Sequence, residues 1–302
     1  SVESFELLTP AGETLTCSQE ENADVFWATA GGIGLTGAIL TARVRLQRVE
    51  SAYVVVDYHR SGDLEDALAT MTASDQEYQY SVAWVDCLAK GAALGRSVLM
   101  RGNHAPAERL SPEFAAAPYR VKQRRTKSVP VDFPGFVLNP LSIKLFNACY
   151  YGWHPTAPGT LVDYDSYFYP LDAIQNWNRM YGKRGFVQYQ ATFPPDAIKG
   201  LQRIFERLSE TRRASFLAVL KRFGPGNPGL LSHPIQGYTL NLDIANRPGL
   251  IPFLHELDAI LLDHGGRLYL AKDAAMKPET FAAMYPQLDE FRAIKGRLDP
   301  DG

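Results

Sequence analysis

The chain has 302 residues, enough for about two domains at roughly 150 residues each; 46% of them are hydrophobic and 21% are charged. Its 31 Lys+Arg against 33 Asp+Glu are typical of a folded protein and argue against a nucleic-acid partner. No apolar run reaches the roughly 18 residues of a membrane-spanning helix, and the three scattered cysteines favour neither a disulfide framework nor a metal site, so we expect a cytoplasmic protein.

The first 48 residues predict a small group of elements. Two short extended runs flank a Pro-Ala-Gly turn in residues 2–17, which predicts a β-hairpin. A short helix is predicted within residues 21–30, before the glycine-rich stretch 31–37. Residues 38–47 alternate apolar and polar side chains, which predicts a strand with one buried face.

From residue 49 onward, predicted strands outnumber predicted helices. The strands are predicted at 52–58, 77–85, 95–101, 185–193, 215–223 and 237–245, and the helices at 63–71, 195–210 and 252–266. Because several strands follow one another directly, the pattern favours an α+β fold with a large, mostly antiparallel sheet flanked by helices over a doubly wound parallel sheet. We predict a boundary between a domain at 1–48 and a second domain at 49–302.

Gly32, Gly34 and Gly37 match the GxGxxG pattern of dinucleotide-binding folds. That fingerprint requires a strand before the glycines and a helix after them, whereas here a helix is predicted before and a strand after. The glycines are therefore interpreted first as a tight turn. Contact between their exposed backbone amides and a cofactor is the alternative.

Three predicted strands carry polar side chains on one face. These residues are Gln188 and Gln190, Thr239, Asn241 and Asp243, and Lys221 at the end of an apolar run. If the strands are neighbours, their amide, hydroxyl and ammonium groups line one wall suited to a polyhydroxylated ligand such as a sugar. The alternative is the solvated face of an antiparallel sheet.

Two further segments of the sequence can each be interpreted either as part of a functional site or as ordinary protein surface. Tyr269 and Lys272 follow the glycine pair that ends the last predicted helix, and the lysine is either a site cation or a surface charge. A basic loop contains Arg120, Lys122, Arg124, Arg125 and Lys127. It is either a solvated segment or a surface for phosphate or an anionic membrane.

The run FWATAGGIGLTGAI at 26–39 resembles the end of the FAD-binding domain in flavoprotein oxidases of the vanillyl-alcohol-oxidase type. Further segments narrow the resemblance to the decaprenylphosphoryl-ribose oxidase branch, in the same order along nearly the whole chain. They are YSVAWVD, YPLDAIQNWNRMYGKRGFVQYQ, LKRFGPGN, GGRLYLAKD and FAAMYPQLDEF.

This resemblance implies an FAD enzyme that oxidises the C2 hydroxyl of a polyprenylphosphoryl-ribose to the ketone, by hydride transfer to flavin. A reductase partner would then complete epimerisation to the arabinose lipid used in cell-wall synthesis. Residues 1–48 would be the last part of the FAD-binding domain and 49–302 the substrate domain, with 266–275 returning to the flavin. Peripheral contact at the inner face of the membrane would run through the basic loop.

The resemblance also assigns residues. Those expected to contact FAD are Gly32, Gly34, Gly37, Ile39, Tyr269 and Lys272, and Lys272 is also the expected catalytic residue. Those expected to line the substrate pocket are Trp84, Gln188, Gln190, Lys221, Thr239 and Asn241. Actinobacterial members carry cysteine where this sequence has Asn241 and asparagine where it has Thr239, so substrate detail does not transfer directly.

The family's N-terminal FAD subdomain is expected before residue 1, so this chain alone is expected to hold FAD weakly or not at all and to be inactive by itself. Two alternatives stay open. One is an aldonolactone or sugar-alcohol oxidase of the same architecture, and the other is a non-catalytic sugar-binding module.

Overall fold

The computed structural model describes residues 1–74, 76–213, 215 and 217–301. Its strands are β1 (Val2–Leu8), β2 (Thr14–Ser18), β3 (Ala38–Val44), β4 (Tyr53–Ser61), β5 (Tyr80–Val85), β6 (Ser97–His104), β7 (Lys127–Ser128), β8 (Ala157–Asp163), β9 (Ile174–Gln175), β10 (Phe186–Phe193), β11 (Ala218–Phe223), β12 (Gly237–Ala245) and β13 (Arg267–Leu268). Its α-helices are α1 (Ala23–Thr29), α2 (Leu64–Ala73), α3 (Pro112–Ala115), α4 (Pro140–Trp153), α5 (Tyr164–Phe168), α6 (Ile198–Thr211), α7 (Leu250–Asp263), α8 (Pro278–Met284) and α9 (Leu288–Leu298).

An eight-stranded sheet organises most of the chain. Its strand order is β13-β10-β12-β11-β5-β6-β4-β8, and every neighbouring pair is antiparallel. The predicted α+β class with a large antiparallel sheet is therefore confirmed. The predicted strand 215–223 is observed from Ala218, and its Phe216 lies outside the described residues.

Helices α6 and α7 cover one face of this sheet. In α6, Leu201, Ile204, Phe205 and Leu208 recur at the three- and four-residue spacing of a helix face, and all four are buried. They pack in one hydrophobic cluster with inward-facing strand residues such as Leu240. Burial of this apolar face stabilises the sheet and leaves its other face to carry polar side chains.

A second sheet, with strand order β2-β1-β3, contains the N-terminal residues. The predicted hairpin is confirmed, since β1 and β2 pair antiparallel. The prediction that β3 buries one face is wrong, because all seven of its residues are exposed. β3 is an edge strand, and its apolar residues, including Ile39, pack against none of the described hydrophobic core.

The two sheets share one hydrophobic core. Phe26 of α1 is buried in the same cluster as Leu230 and Phe291 of α9, and Arg297 of α9 pairs with Asp24 of α1. The boundary at 48/49 stays a prediction. In the described part of the chain, no helix combines the length and apolar character needed to cross a bilayer.

Candidate functional site

The polar face of the large sheet is built by strand register. Gln188 on β10 lies directly opposite Asp243 on β12, and Gln190 lies opposite Asn241. On the other side of β12, Lys221 of β11 lies opposite Thr239. The three predicted strands are thus neighbours, and we call this surface, formed by Gln188, Gln190, Lys221, Thr239, Asn241 and Asp243, the polar wall.

Hydrogen bonds between strands orient the amides of the polar wall. Gln188 Nε2 donates to Asp243 Oδ1 at 2.9 Å, and Gln190 Nε2 donates to Thr239 Oγ1 at 3.2 Å. Gln188 and Gln190 are only half-buried, so each keeps an exposed amide edge. Paired amides with free edges differ from a merely solvated sheet face, which is usually rich in Lys and Glu.

Lys272 reaches the polar wall from the chain after β13. The Tyr269 backbone N–H donates to Gln190 O at 2.9 Å, which fixes the start of the 3₁₀ turn Leu270–Lys272 on the sheet edge. Lys272 Nζ then donates to Asn241 Oδ1 at 2.6 Å. Burial lowers the pKa of Lys272, and the nearby Lys221 lowers it further, while Asp243 opposes both.

Asp243 is a completely buried carboxyl at the end of the polar wall. Burial raises its pKa, against the opposing effects of the Gln188 hydrogen bond and the Lys272 charge. The sequence placed Asp243 on the polar face without a role. The structure shows that it orients Gln188 and supplies the negative charge beside Lys272.

Lys221 and Trp84, the two remaining predicted substrate residues, differ in solvent exposure. Lys221 is exposed at the rim of the wall. Trp84 of β5 lies beside Val219 of β11 but is buried, and the Tyr150 ring of α4 covers it at a centroid distance of 4.5 Å. The structure therefore places Trp84 in the base of the wall under a second aromatic ring.

His233 is a site residue that sequence reasoning missed. It is buried, shares a hydrogen bond of 2.9 Å between its Nε2 and Thr192 Oγ1, and its ring lies 4.8 Å from the Tyr269 ring. Burial lowers its pKa to about 4, so the imidazole is neutral at pH 7. No local pattern marks it, because its partners come from strands distant in sequence.

The glycine turn, residues 31–37, lies next to His233. A Cβ on Gly31 would approach the Ser232 Cα to 2.9 Å, so the backbones of the turn and of the 229–233 loop touch. Helix α1 precedes the turn and β3 follows it, as the sequence predicts. A dinucleotide-binding fingerprint has the reverse order, with a strand before the glycines and a helix after them. Cβ atoms on Gly32 and Gly37 would lie 2.2 and 2.3 Å from the carbonyl oxygens of Ala28 and Leu8, so close packing requires both glycines.

Gly34 differs from these two glycines. Its φ is +76°, and a Cβ there meets no atom within 4 Å, so its backbone faces open space. Ile39, the other predicted flavin contact in this segment, is exposed. The structure thus brings the glycine turn, His233, Tyr269 and Lys272 into one contiguous region beside the polar wall, while their cofactor roles stay predictions.

One of the five basic residues of the basic loop is already paired with an acidic residue. Arg124 Nε donates to Asp165 Oδ2 at 2.6 Å, and its NH2 group donates to the Tyr169 carbonyl at 2.7 Å. An ion pair thus holds the Arg124 guanidinium, and contact of the basic loop with an anionic surface stays a prediction. Arg120, Lys122, Arg125 and Lys127 are exposed.

Comparison with known proteins gives matches along the whole chain. The chain is 37% identical to decaprenylphosphoryl-β-D-ribose oxidase of Mycolicibacterium smegmatis over 303 aligned residues, which cover 100% of this chain and 66% of that protein. It is 34% identical to an uncharacterized protein of Streptomyces coelicolor, covering 98% of this chain and 82% of the relative. Residues 244–302 match the family of D-arabinono-1,4-lactone oxidase.

Among solved structures, the fold is similar to xylooligosaccharide oxidase from Myceliophthora thermophila C1, which was determined in complex with xylobiose. The TM-score is 0.58 at 15% sequence identity, over 99% of this chain and 63% of that chain. The chain thus spans slightly less than two thirds of the mycobacterial relative and of this oxidase.

Proposed function

The chain belongs to the FAD-linked oxidase family of decaprenylphosphoryl-β-D-ribose oxidase, and from that premise we propose that it forms the substrate-binding part of an FAD-dependent oxidoreductase acting on a CH–OH group. The proposed substrate is a polyprenylphosphoryl-ribose whose C2 hydroxyl is oxidised to the ketone. The observation that carries this proposal is the polar wall with the Lys272 ammonium held over it at 2.6 Å from Asn241.

Residues of the glycine turn, the start of β3 and the segment after β13 fit an FAD isoalloxazine ring. The exposed Ile33, Leu35 and Ile39 offer apolar contact for a flat ring, the open Gly34 leaves space for close approach, and Tyr269 and Lys272 offer an aromatic ring and a cation. When bound, FAD supplies the acceptor for the hydride of the substrate. Lys272 and Tyr269 would help to hold the ring.

The polar wall would bind and orient the ribose. The free edges of Gln188 and Gln190 donate and accept hydrogen bonds with sugar hydroxyls. The Lys272 ammonium stabilises negative charge that develops at the reacting centre, an effect strengthened by its partial burial. Lys221, exposed at the rim, is placed to contact the phosphate of the substrate.

A ketone at C2 implies a second enzyme. A reductase that returns hydride to the opposite face of the ketone would complete an epimerisation to the arabinose lipid. We propose this reductase as a functional partner.

A direct test uses the full-length protein, including the FAD subdomain expected before residue 1, loaded with FAD under anaerobic conditions. Polyprenylphosphoryl-ribose should bleach the oxidised-flavin absorbance and yield one ketone per reduced flavin, while the same lipid carrying arabinose should react poorly. Failure of the ribose lipid to reduce the flavin would contradict the proposal.

A second candidate is an aldonolactone oxidase. The match of residues 244–302 to the D-arabinono-1,4-lactone oxidase family favours it. In the same assay, flavin reduction by a free aldonolactone at the rate seen with the lipid would support this candidate. Binding of sugar without flavin reduction by any of these compounds would instead indicate a non-catalytic binding module.

A further inference from the structure

Helix α4 carries an apolar stripe on its outer side. Leu141, Leu145 and Trp153 are 77%, 66% and 77% exposed, and their spacing of four and eight residues places them along one side of the helix. The loop before the helix adds Phe136, which is 75% exposed. Single exposed apolar residues are ordinary, but a row of large ones marks an interaction surface.

The stripe belongs to a firmly held helix. Asn139 caps its first turn through the backbone N–H groups of Leu141 and Ser142. On the inner side, Asn147 Nδ2 donates to Asp86 Oδ1 at 2.7 Å and Tyr151 donates its hydroxyl hydrogen to the Ser61 carbonyl at 3.1 Å. The exposure of the stripe therefore follows from how the helix is docked.

Basic side chains surround the N-terminal end of α4. A concavity of about 770 Å³ is lined by Leu141 together with Lys90 and Lys144. A second concavity of about 540 Å³ is lined by Leu138, just before the helix, and by Lys183 and other basic residues. We call Lys90, Lys144 and Lys183 the basic rim.

Two acidic residues line these concavities, and one of them is already paired. Asp86, which lines the first concavity, pairs with Arg96 at 2.7 Å and also accepts from Asn147. The second concavity includes a single acidic residue, Asp132, alongside Lys183, Arg184 and Arg247. The rim therefore presents excess positive charge beside the apolar stripe.

We propose that the stripe of α4 and the basic rim form a docking surface for a bilayer that contains anionic phospholipid. An apolar row that ends in tryptophan and is flanked by cations is the pattern of a helix lying in a membrane interface. With 14 residues, α4 is shorter than the roughly 20 residues needed to span a bilayer. Tyr150 on its inner side contacts Trp84, so docking brings the base of the polar wall close to the lipid.

This surface differs from the basic loop expected from the sequence. The loop has basic residues but one of them, Arg124, is held by Asp165. The α4 surface sets charge beside a row of exposed apolar side chains on one regular helix, and peripheral binding strengthens with both.

The test is sedimentation of the 302-residue chain with vesicles, which requires neither flavin nor turnover. Wild type should bind vesicles of equal parts phosphatidylglycerol and phosphatidylcholine, and bind pure phosphatidylcholine at least tenfold more weakly. The stripe variant Leu141→Ser/Leu145→Ser/Trp153→Ser and the rim variant Lys90→Gln/Lys144→Gln/Lys183→Gln should each reduce binding at least tenfold.

The matched control removes three charges from the basic loop. Arg120→Gln/Lys122→Gln/Arg125→Gln changes net charge as the rim variant does and should bind within twofold of wild type. Thermal unfolding checks that each variant is folded, and Leu145→Glu alone replaces the stripe variant if it is not.

Three results would overturn the proposal. One is no binding of wild type to anionic vesicles, and another is a loss in the loop variant as large as in the rim variant. The third is self-association of wild type that the stripe variant abolishes without vesicle binding, which would make the stripe a contact between copies of this chain.

Discussion

The polar wall and the outer side of α4 differ in which kind of side chain they bury and which they expose. On the wall, the polar groups other than Lys221 are wholly or half buried, and several bond to one another, as Gln188 does to Asp243. Lys272 bonds in turn to Asn241 of the wall. On α4, large apolar side chains such as Leu145 are exposed, beside lysines in an open concavity. A ligand with fixed hydroxyl geometry requires preset donors and acceptors, whereas a fluid bilayer requires only apolar area and charge.

This difference predicts that variants of the polar wall and variants of the α4 stripe affect different measurements. Changes in the wall should alter flavin reduction or pH dependence and leave vesicle binding unchanged. Changes in the α4 stripe should do the reverse.

The largest effect is expected at Lys272. Lys272→Gln removes the cation beside the reacting centre, so the rate of flavin reduction by substrate should fall about 100-fold, the size typical for loss of one preorganised charge or donor. Anaerobic stopped-flow absorbance of the full-length, FAD-loaded protein measures this rate. Lys272→Arg should recover part of it, and an unchanged rate in Lys272→Gln would remove the assigned role.

Lys221→Gln is the matched control, since it removes a second lysine from the same wall. Lys221 is exposed and lies at the rim, so its loss should weaken substrate binding more than it slows flavin reduction. Equal losses of rate in both variants would mean that general positive charge, and not the position of Lys272, matters.

His233 should make stability depend on pH. Well above pH 6.5 the imidazole is neutral in both the folded and the unfolded state. As the pH falls, the unfolded state binds a proton first, because burial lowers the pKa of His233 in the folded state to about 4. The unfolding free energy should therefore decrease by up to about 3 kcal/mol between pH 7 and pH 4 from this group.

Urea unfolding at several pH values tests this expectation. His233→Gln should lose that component, so its unfolding free energy should change less between pH 7 and pH 4 than that of wild type. The same pH dependence in both proteins would show that His233 is protonated in the folded state.

Asp243→Asn should change the pH profile of catalysis. The Asp243 charge opposes the burial that lowers the pKa of Lys272, so without it the Lys272 pKa should fall further. The alkaline limb of the flavin-reduction profile should then move to lower pH, because Lys272 loses its proton earlier. A profile that stays in place would indicate that Lys272 titration does not limit the reaction.

The smallest effect is expected for Leu145→Glu on the chemical step. With a soluble ribosyl phosphate that lacks the polyprenyl chain, flavin reduction should stay within about twofold of wild type, as is usual for exposed sites. Vesicle binding of the same variant should be lost. A large decrease in rate with the soluble compound would show that α4 shapes the site itself.

The strands of the wall were predictable because their two-residue alternation is strong. The face shared by Thr239, Asn241 and Asp243 follows from that period alone, and the register then places Gln190 opposite Asn241. Helix α4 was missed although Asn139, Pro140 and Ser142 form a helix-start signal. The exposure of β3 was not predictable, since alternation indicates a face that suits burial without showing what covers it.

The claim that the polar wall is the sugar site is most directly tested by binding of the soluble headgroup, ribosyl phosphate, to this chain without FAD. Saturation-transfer NMR should show binding by wild type and by the basic-rim variant, and at least a tenfold weaker signal response in Gln190→Leu/Asn241→Leu, because two facing amides are lost. Equal binding by the double variant would contradict the assignment of the wall as the sugar site.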